Sequence, residues 1–339
     1  MKYLETRSTD PFYNLAFEEW VLTHLFDGEY LILWQNDNTV VIGQNQNTPE
    51  EINADFVREH GIRVIRRTTG GGAVYHDLGN LNYSFITDYD REAGMDMSRF
   101  TGLVVKALAN MGLKAEASGR NDILVDGKKV SGTAQRIIKG NKAGRPVERI
   151  LYHGTLLFKS NPDMIAGALH ADPLKFTSKS TKSVRSRVGN ISDYLPEDMT
   201  LTDFWQKLRE CLAEETAEQE QAAVDQAAIL HLKKEKYDTR EWNYGRSPKT
   251  GFRNRRRFAG GTLEADLEIE KGRISNAALY GDFLSLKPAS EIAAALIGAE
   301  FSQEAVAEVL DRFCLTDHLG TITAEEALET ILGVEHVTV

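Results

Sequence analysis

Two stretches of this chain carry residue types whose spacing could do chemistry, and both point to the handling of anions. The first is Arg66-Arg67-Thr68-Thr69-Gly70-Gly71-Gly72-Ala73. Three consecutive glycines sustain neither a helix nor a packed strand, so this is a loop, and the backbone N–H groups of such a loop can converge on a phosphate or carboxylate. Two cations adjoin it. A tight surface loop is the plainer alternative and stays open. No lysine and hydroxyl residue follow the glycines, which excludes a P-loop, and Tyr75 stands where a dinucleotide fingerprint needs its last glycine.

The second stretch is Asn121-Asp122-Ile123-Leu124-Val125-Asp126-Gly127-Lys128-Lys129-Val130-Ser131-Gly132. Asp126-Gly127 between two strand-like runs predicts a two-residue type I′ turn, which sets Val125 against Lys128, Leu124 against Lys129, Ile123 against Val130 and Asp122 against Ser131. Alternation then groups Asp122, Lys129 and Ser131 on one face and the apolar Ile123, Val125 and Val130 on the other. Lys129 is therefore nominated over Lys128. A one-residue slip would reverse that choice, and two solvated lysines beside a turn is the simpler reading of this motif alone.

Other polar residues have quieter readings. His76-Asp77 before Leu78-Gly79-Asn80 fits a turn with local hydrogen bonds, and His153 fits a satisfied structural histidine. Arg253, Arg255, Arg256 and Arg257 fit a solvated edge, with phosphate contact as the lesser option. No serine sits in a nucleophile elbow, and the eight histidines lack metal-ligand spacing.

These residues need elements to hold them. Spacing predicts helices from Tyr13 to Leu25, Glu50 to His60, Phe100 to Met111 and Pro162 to Leu169, and a long one from Asp203 to Lys236, a run of strong helix formers without glycine or proline. Tyr30–Trp34 and Thr39–Gly43 read as a hairpin. Further strands are expected at Ile62–Arg67, Ala73–Tyr75, Leu81–Ile86 and Tyr152–Phe158. Gly245, Pro248 and Gly251 then break the pattern. Beyond them Leu263, Ala265, Leu267 and Ile269 alternate toward a turn at Lys271-Gly272, and helices near Ser290–Leu296, Gln303–Phe313 and Thr323–Leu332 follow. The class is α+β, with domains at 1–247 and 248–339.

Composition bounds the rest. The 339 residues include 42% hydrophobic and 27% charged residues, enough for two folded domains. A net charge of -10 offers no global attraction to nucleic acid or an anionic membrane. No apolar run spans a bilayer, and neither a signal nor a transit peptide is apparent, so a cytoplasmic protein is expected. Cys211 and Cys314 are far apart and read as reduced thiols.

Taken together, RRTTGGGAVYHDLGNLNYSF, GRNDILVDGKKVSG, HGTLLF and SVRSRVGNI resemble the ordered motifs of the lipoate-protein ligases. EWNYGRSP and FRNRRRFAGGTLEADLEIEKGRI are similar to that family's linker and small C-terminal domain, so nearly the whole chain is covered. The resemblance implies a large catalytic domain of mixed β-sheets flanked by helices, related to the biotin ligases, with a small α+β accessory domain behind a hinge at Tyr244–Pro248. It implies that lipoate and Mg2+-ATP give lipoyl adenylate, from which a lysine of a lipoyl domain takes the acyl group. Acceptors would be E2 subunits of 2-oxoacid dehydrogenases or the glycine-cleavage H protein, and the enzyme a monomer.

Carried over by motif position, Arg67, Gly72, Ala73, Val74, Tyr75 and Lys129 contact ATP, and Lys129, Arg67, Gly71 and His76 contact lipoate. Asp122 assists Lys129 or helps hold the metal, with Asn121 beside the same site. Two rivals stand: an ATP-independent lipoyl or octanoyl acyltransferase, and a non-catalytic binder of lipoate or of a carrier domain. Acyltransferases on this scaffold often use a nucleophilic cysteine. No motif here contains one, which argues against a thioester intermediate.

Overall fold

The structure, a computed structural model, describes residues 1–92, 97–119, 121–142, 144–169, 188–213, 224–244, 252–270 and 272–333. In chain order its strands are β1 (Lys2–Glu5), β2 (Tyr30–Trp34), β3 (Thr39–Ile42), β4 (Arg63–Arg66), β5 (Val74–His76), β6 (Asn80–Asp88), β7 (Ala115–Ser118), β8 (Asp122–Val125), β9 (Lys128–Lys142) and β10 (Arg145–Leu157). The small domain adds β11 (Phe252–Phe258), β12 (Gly261–Glu270) and β13 (Arg273–Gly281). Helices α1 (Pro11–His24), α2 (Thr48–Glu51), α3 (Ala54–Glu59), α4 (Ser98–Asn110), α5 (Pro162–Ala168) and α6 (Leu201–Leu212) flank the large domain's sheets.

Seven strands form the large sheet in the order β1-β2-β6-β10-β9-β8-β7, with β1 and β2 parallel and the other pairs antiparallel. Alternation sends Leu31, Leu33, Tyr83 and Phe85 toward Phe100 and Val104 of α4 and Phe204 of α6. Tyr30, Ile32, Trp34 and Ile86 turn instead to Leu15, Trp20 and Val21 of α1. Because both faces are covered, β2 reads as an unbroken apolar run, and such a run says nothing about its neighbour. That is why the predicted hairpin fails. β3 leaves β2 altogether and centres a second sheet, β4-β3-β5.

Two predicted helices are interrupted. Asn53 caps α3 by accepting from the Phe56 N–H, and Ile52 bridges to Leu169, so Glu50–His60 is two short helices. The Asp203–Lys236 run is α6, begun by a capping box between Thr200 and Asp203 and ended at an extended Ala213. A helix resumes at Gln226–Leu232 after its own Asp225 cap, and residues 214–223 of the expected helix lie outside the described residues.

In the small domain β11-β12-β13 is antiparallel, and β12 buries every residue from Gly261 to Leu267. Both faces must therefore be covered. Leu263, Ala265 and Leu267 meet the helices through Ile292, Val306 and Leu328. The other face, carrying Arg253, Arg255, Arg257 and Glu264, is turned to the large domain, where Arg253 pairs with Glu50 of α2. β11 is the solvated edge expected, with Arg253, Arg255 and Arg257 exposed on it, but its charges are paired: Arg253 and Arg255 with Glu264, Arg253 also with Glu50 of the large domain, Arg256 with Glu329 and Arg257 with Asp282. The expected Lys271-Gly272 turn is described only at Gly272, which has φ 76°, and the expected hinge is described only at Tyr244.

The segment following β13 joins the domains. Gly281 N–H donates to the Asn45 carbonyl (2.7 Å), Gly71 N–H to the Phe283 carbonyl (3.1 Å), and the Asn45 side-chain amide to Ser285 Oγ (3.0 Å). Phe283 enters the small domain's core. Its neighbour Leu284 enters the large domain's.

Candidate active site

β4 ends at the two arginines, and strand alternation sends them apart. Arg66 is fully buried, with Nη1 donating to the Gly43 and Gln46 carbonyls (2.8 and 2.7 Å), Nη2 to Thr48 Oγ1 (2.7 Å) and Nε to the Trp242 carbonyl (3.0 Å). It organises backbone and does not join the anion site expected of the pair. Arg67 points the other way. Its Nη2 donates to the Gly70 and Gly72 carbonyls (2.6 and 2.9 Å) and its Nε to Thr69 Oγ1 (2.9 Å), which fixes the glycine loop against it. Burial pushes its pKa down to about 10, with Glu18 opposing that shift, so the guanidinium is charged at neutral pH.

Close approach explains one glycine outside the triple run. A Cβ on Gly43 would lie 2.0 Å from the Gly71 carbonyl oxygen, so a side chain there would displace the loop. Gly71 itself has φ 88°, a left-handed conformation that suits glycine.

The β8–β9 hairpin has the predicted turn, with Asp126 at φ 46° and Gly127 at φ 75°. Val125 pairs with Lys128 and Leu124 with Lys129, as expected. A bulge follows, so Ile123 meets Ser131 and Asp122 meets Gly132. The bulge corrects the expected grouping: Ser131 is buried near the Tyr83 hydroxyl, while Asp122 and Lys129 stay together as an ion pair at 2.6 Å. Lys128 is exposed. A Cβ on Gly132 would come within 3.3 Å of Lys129 Nζ, so this glycine leaves room for the ammonium. The end of the SVRSRVGNI motif adjoins the same strand, Gly189 N–H donating to the Lys129 carbonyl (2.9 Å); its residues 183–187 lie outside the described residues.

Loop and hairpin open onto one cavity of about 430 Å³. Arg67, Gly71, Gly72, Ala73, Val74 and His76 line it from one side, and Asn121, Asp122 and Lys129 from the other. Tyr75 is not on that wall; its ring packs with Val40 and Val64, and its hydroxyl donates to Asn38 Oδ1 (2.9 Å). Leu15, Trp34 and Val41 supply apolar lining. A larger open groove of about 1000 Å³ lies along α6 by Glu5, Trp205 and Arg209, and none of the motif residues reaches it.

Behind the cavity runs a buried polar chain that sequence reading missed. Thr69 Oγ1 meets His153 Nε2 (2.8 Å), His153 Nδ1 meets Glu18 Oε1 (2.8 Å), Ser84 Oγ donates to the same Glu18 oxygen, and Trp34 Nε1 donates to Ser84 Oγ (2.8 Å). A carboxylate only accepts, so Nδ1 carries a proton toward Glu18. One buried acid thereby steadies both the arginine end and the tryptophan end of the cavity. The signal was available: Glu18 sits between Leu15 and Leu22 at spacings that share a helix face.

His76 is more than the local turn expected of it. Asp77 makes that turn, accepting from Gly79 N–H (2.9 Å), whereas the His76 ring is buried and lines the cavity. Burial, reinforced by Arg67 and His153, pushes its pKa down to about 3, so it is neutral at physiological pH. Its Nδ1 faces Asn36 (3.2 Å) and its Nε2 has no hydrogen-bond partner among the described residues. The small domain reaches the same wall with Arg257 and Asp282. Both cysteines are exposed and lie off the cavity. No group of three or more His, Cys, Asp or Glu suited to a metal occurs among the described residues.

Two family descriptions match the chain: "Lipoyl protein ligase A/B catalytic domain" over residues 10–213 and "Bacterial lipoate protein ligase C-terminus" over residues 247–331. The chain is 42% identical over 328 residues to the lipoate-protein ligase LplJ of Bacillus subtilis, covering 95% of this chain and 97% of the relative. It is 37% identical over 332 residues to lipoate-protein ligase 1 of Staphylococcus aureus, covering 97% and 99%. A structure of P. falciparum LipL1 in complex with lipoate shares the fold, at TM-score 0.77 and 24% identity, covering 92% of this chain and 94% of that one. The bipartite lipoate protein ligase of Thermoplasma acidophilum, described with its E2 lipoyl domain, matches at TM-score 0.58 and 29% identity, covering 74% and 97%. A lipoate-protein ligase A bound with ATP matches at 0.56 and 28%, covering 72% and 98%.

Proposed function

Because the chain belongs to the lipoate-protein ligase family, we propose that it activates lipoate with ATP to lipoyl adenylate and then passes the lipoyl group to a lysine of an acceptor lipoyl domain. The observation that carries this reading is the convergence of Lys129, Arg67 and the glycine loop on one cavity whose remaining lining is partly apolar. A fatty-acyl tail, a carboxylate and a polyphosphate need those three surfaces together. The ATP-bound ligase among the structural relatives supports the nucleotide.

In the first step a lipoate carboxylate oxygen bonds to the α-phosphorus, and the bond from that phosphorus to the bridging oxygen breaks, releasing pyrophosphate. Neither this step nor acyl transfer needs a protein nucleophile; both need charge neutralisation and fixed geometry in a water-poor site. Arg67, Gly72, Ala73, Val74 and Lys129 are assigned to ATP, Tyr75 having been placed off the cavity wall, and Lys129, Arg67, Gly71 and His76 to lipoate. The Lys129 ammonium bridges carboxylate and α-phosphate. Asp122 holds it until substrate arrives, and Leu15, Trp34 and Val41 take the aliphatic tail.

Magnesium would supply charge neutralisation at the ATP phosphates. Asp122 suits it, since Mg2+ commonly rests on one or two carboxylates plus substrate phosphates and needs no all-protein cage. The domain boundary is placed at residues 247 and 248, and the enzyme is read as a cytoplasmic monomer acting on E2 lipoyl domains or the glycine-cleavage H protein. The archaeal ligase described with its E2 lipoyl domain supports that acceptor class.

The test is an ATP-dependent mass gain on an apo lipoyl domain incubated with lipoate. Pyrophosphate must appear in step. Transfer from an acylated carrier protein without ATP would establish the acyltransferase instead, and neither activity would leave a binder.

A further inference from the structure

Resting on that adenylating reaction, we propose that Arg257 of the small domain is a catalytic residue for the activation step, contacting the β- and γ-phosphates of ATP and stabilising the departing pyrophosphate. Arg257 belongs to β11, yet it lines the same cavity as Lys129, Gly71 and Gly72. The junction segment brings it there: the Phe283 carbonyl accepts from Gly71 N–H (3.1 Å), and Asp282, one residue earlier, receives the Arg257 side chain.

The way the guanidinium is held matters. Among the described residues its hydrogen bonds all run through Nη1, to Asp282 Oδ1 and Oδ2 (2.9 and 2.8 Å) and to Thr262 Oγ1 (2.8 Å). Asp282 is itself anchored by Thr262 N–H (2.6 Å). Among the described residues Nε and Nη2 have no partner. One nitrogen thus fixes the group while two donors in a rigid fork stay available, the arrangement that grips phosphate oxygens bidentately.

Chemistry gives such a group a task. When the lipoate oxygen bonds to the α-phosphorus and the α-phosphorus to bridging-oxygen bond breaks, the electron pair leaves on pyrophosphate, with no proton transferred. Negative charge therefore gathers on the leaving group, away from Lys129 at the reacting carboxylate. A cation on the small domain meets it there. Arg255 is a built-in comparison, because it shares the face of β11 but faces Glu264 and does not line the cavity.

The experiment measures lipoate-dependent ATP–pyrophosphate exchange, and separately lipoyl transfer from supplied lipoyl adenylate to an apo lipoyl domain, in the full chain. Arg257→Ala is expected to lower exchange at least 30-fold and transfer less than threefold, with Arg255→Ala within threefold of wild type in both. Circular dichroism and the unfolding midpoint check folding; Arg257→Gln, which keeps most of the side chain, serves if the alanine variant melts early. Exchange within threefold of wild type in the Arg257 variants overturns the proposal. So does an equal loss in Arg255→Ala, or an equal loss of exchange and transfer. A wild-type chain that transfers lipoyl but shows no exchange would bring down the adenylation reading itself.

Discussion

Two places in the large domain put neighbouring cations side by side, the end of β4 with Arg66-Arg67 and the start of β9 with Lys128-Lys129, and in each the strand sends one cation to the cavity and the other away. The discarded lysine goes to solvent. The discarded arginine goes into a ring of carbonyls and becomes part of the fold. Adjacent charges in a strand are therefore separate questions, and the answer for each lies in what its own face meets.

The widest gap is expected within the lysine pair. Lys129→Ala should cut adenylate formation by more than about 100-fold, the scale of losing a positioned charge in a shielded site, and Lys128→Ala should stay within threefold by pyrophosphate exchange. Equal losses would erase the distinction between the two faces. Lys129→Arg should fail as well, since a broad guanidinium cannot replace a compact ammonium between two anions.

The arginine pair should separate by kind of defect. Arg67→Gln is expected to lower activity by about tenfold or more, beyond the stability lost with its bonds to the Val41, Gly70 and Gly72 carbonyls. Arg66→Gln should instead destabilise the fold by about 3 kcal/mol, because it strands buried carbonyls. Urea unfolding beside initial rates tells them apart, and a merely unstable Arg67 variant would collapse the contrast.

A smaller effect probes the loop that Arg67 steadies. Gly71→Val forces a branched residue into φ 88° and sets a Cβ 3.1 Å from Arg67 Nη2, so calorimetric titration should show ATP affinity reduced several-fold, with the unfolding midpoint lowered by the local strain. Unaltered affinity would mean that the loop is only a turn. The mildest test is pH. Folded His76 stays neutral down to about 3 while its unfolded form protonates near 6.5, so its contribution is full above pH 6.5 and is lost as pH falls through that window. The thermal midpoint of His76→Asn should then drop less than that of wild type between pH 7 and pH 4.

How much of this the sequence discloses follows from where each partner lies. Lys129 could be chosen because its turn is two residues long and wholly local. Its register failed two residues later, where the bulge at Val130 left no compositional mark. Arg66 could not be sorted at all, since Trp242 and Asn243 are more than 170 positions away. β11 reads as a solvated edge and is one, but the acids that pair with its arginines, Glu264, Asp282 and Glu50, lie on other elements and in the other domain, where local reading does not reach. Glu18 was legible, being an acid on the apolar face of α1, but only to a reading that asks why a carboxylate stands there.

The carbonyl ring around Arg66 has one more consequence. By holding Trp242 and Asn243 it nails down the last stretch of chain before the small domain, whose first strand begins at Phe252. From Tyr244 to Phe252 is eight steps, a covalent reach of at most about 28 Å. Connectivity alone therefore keeps Phe252, and with it the strand that carries Arg257, within that distance of a point fixed beside the glycine loop.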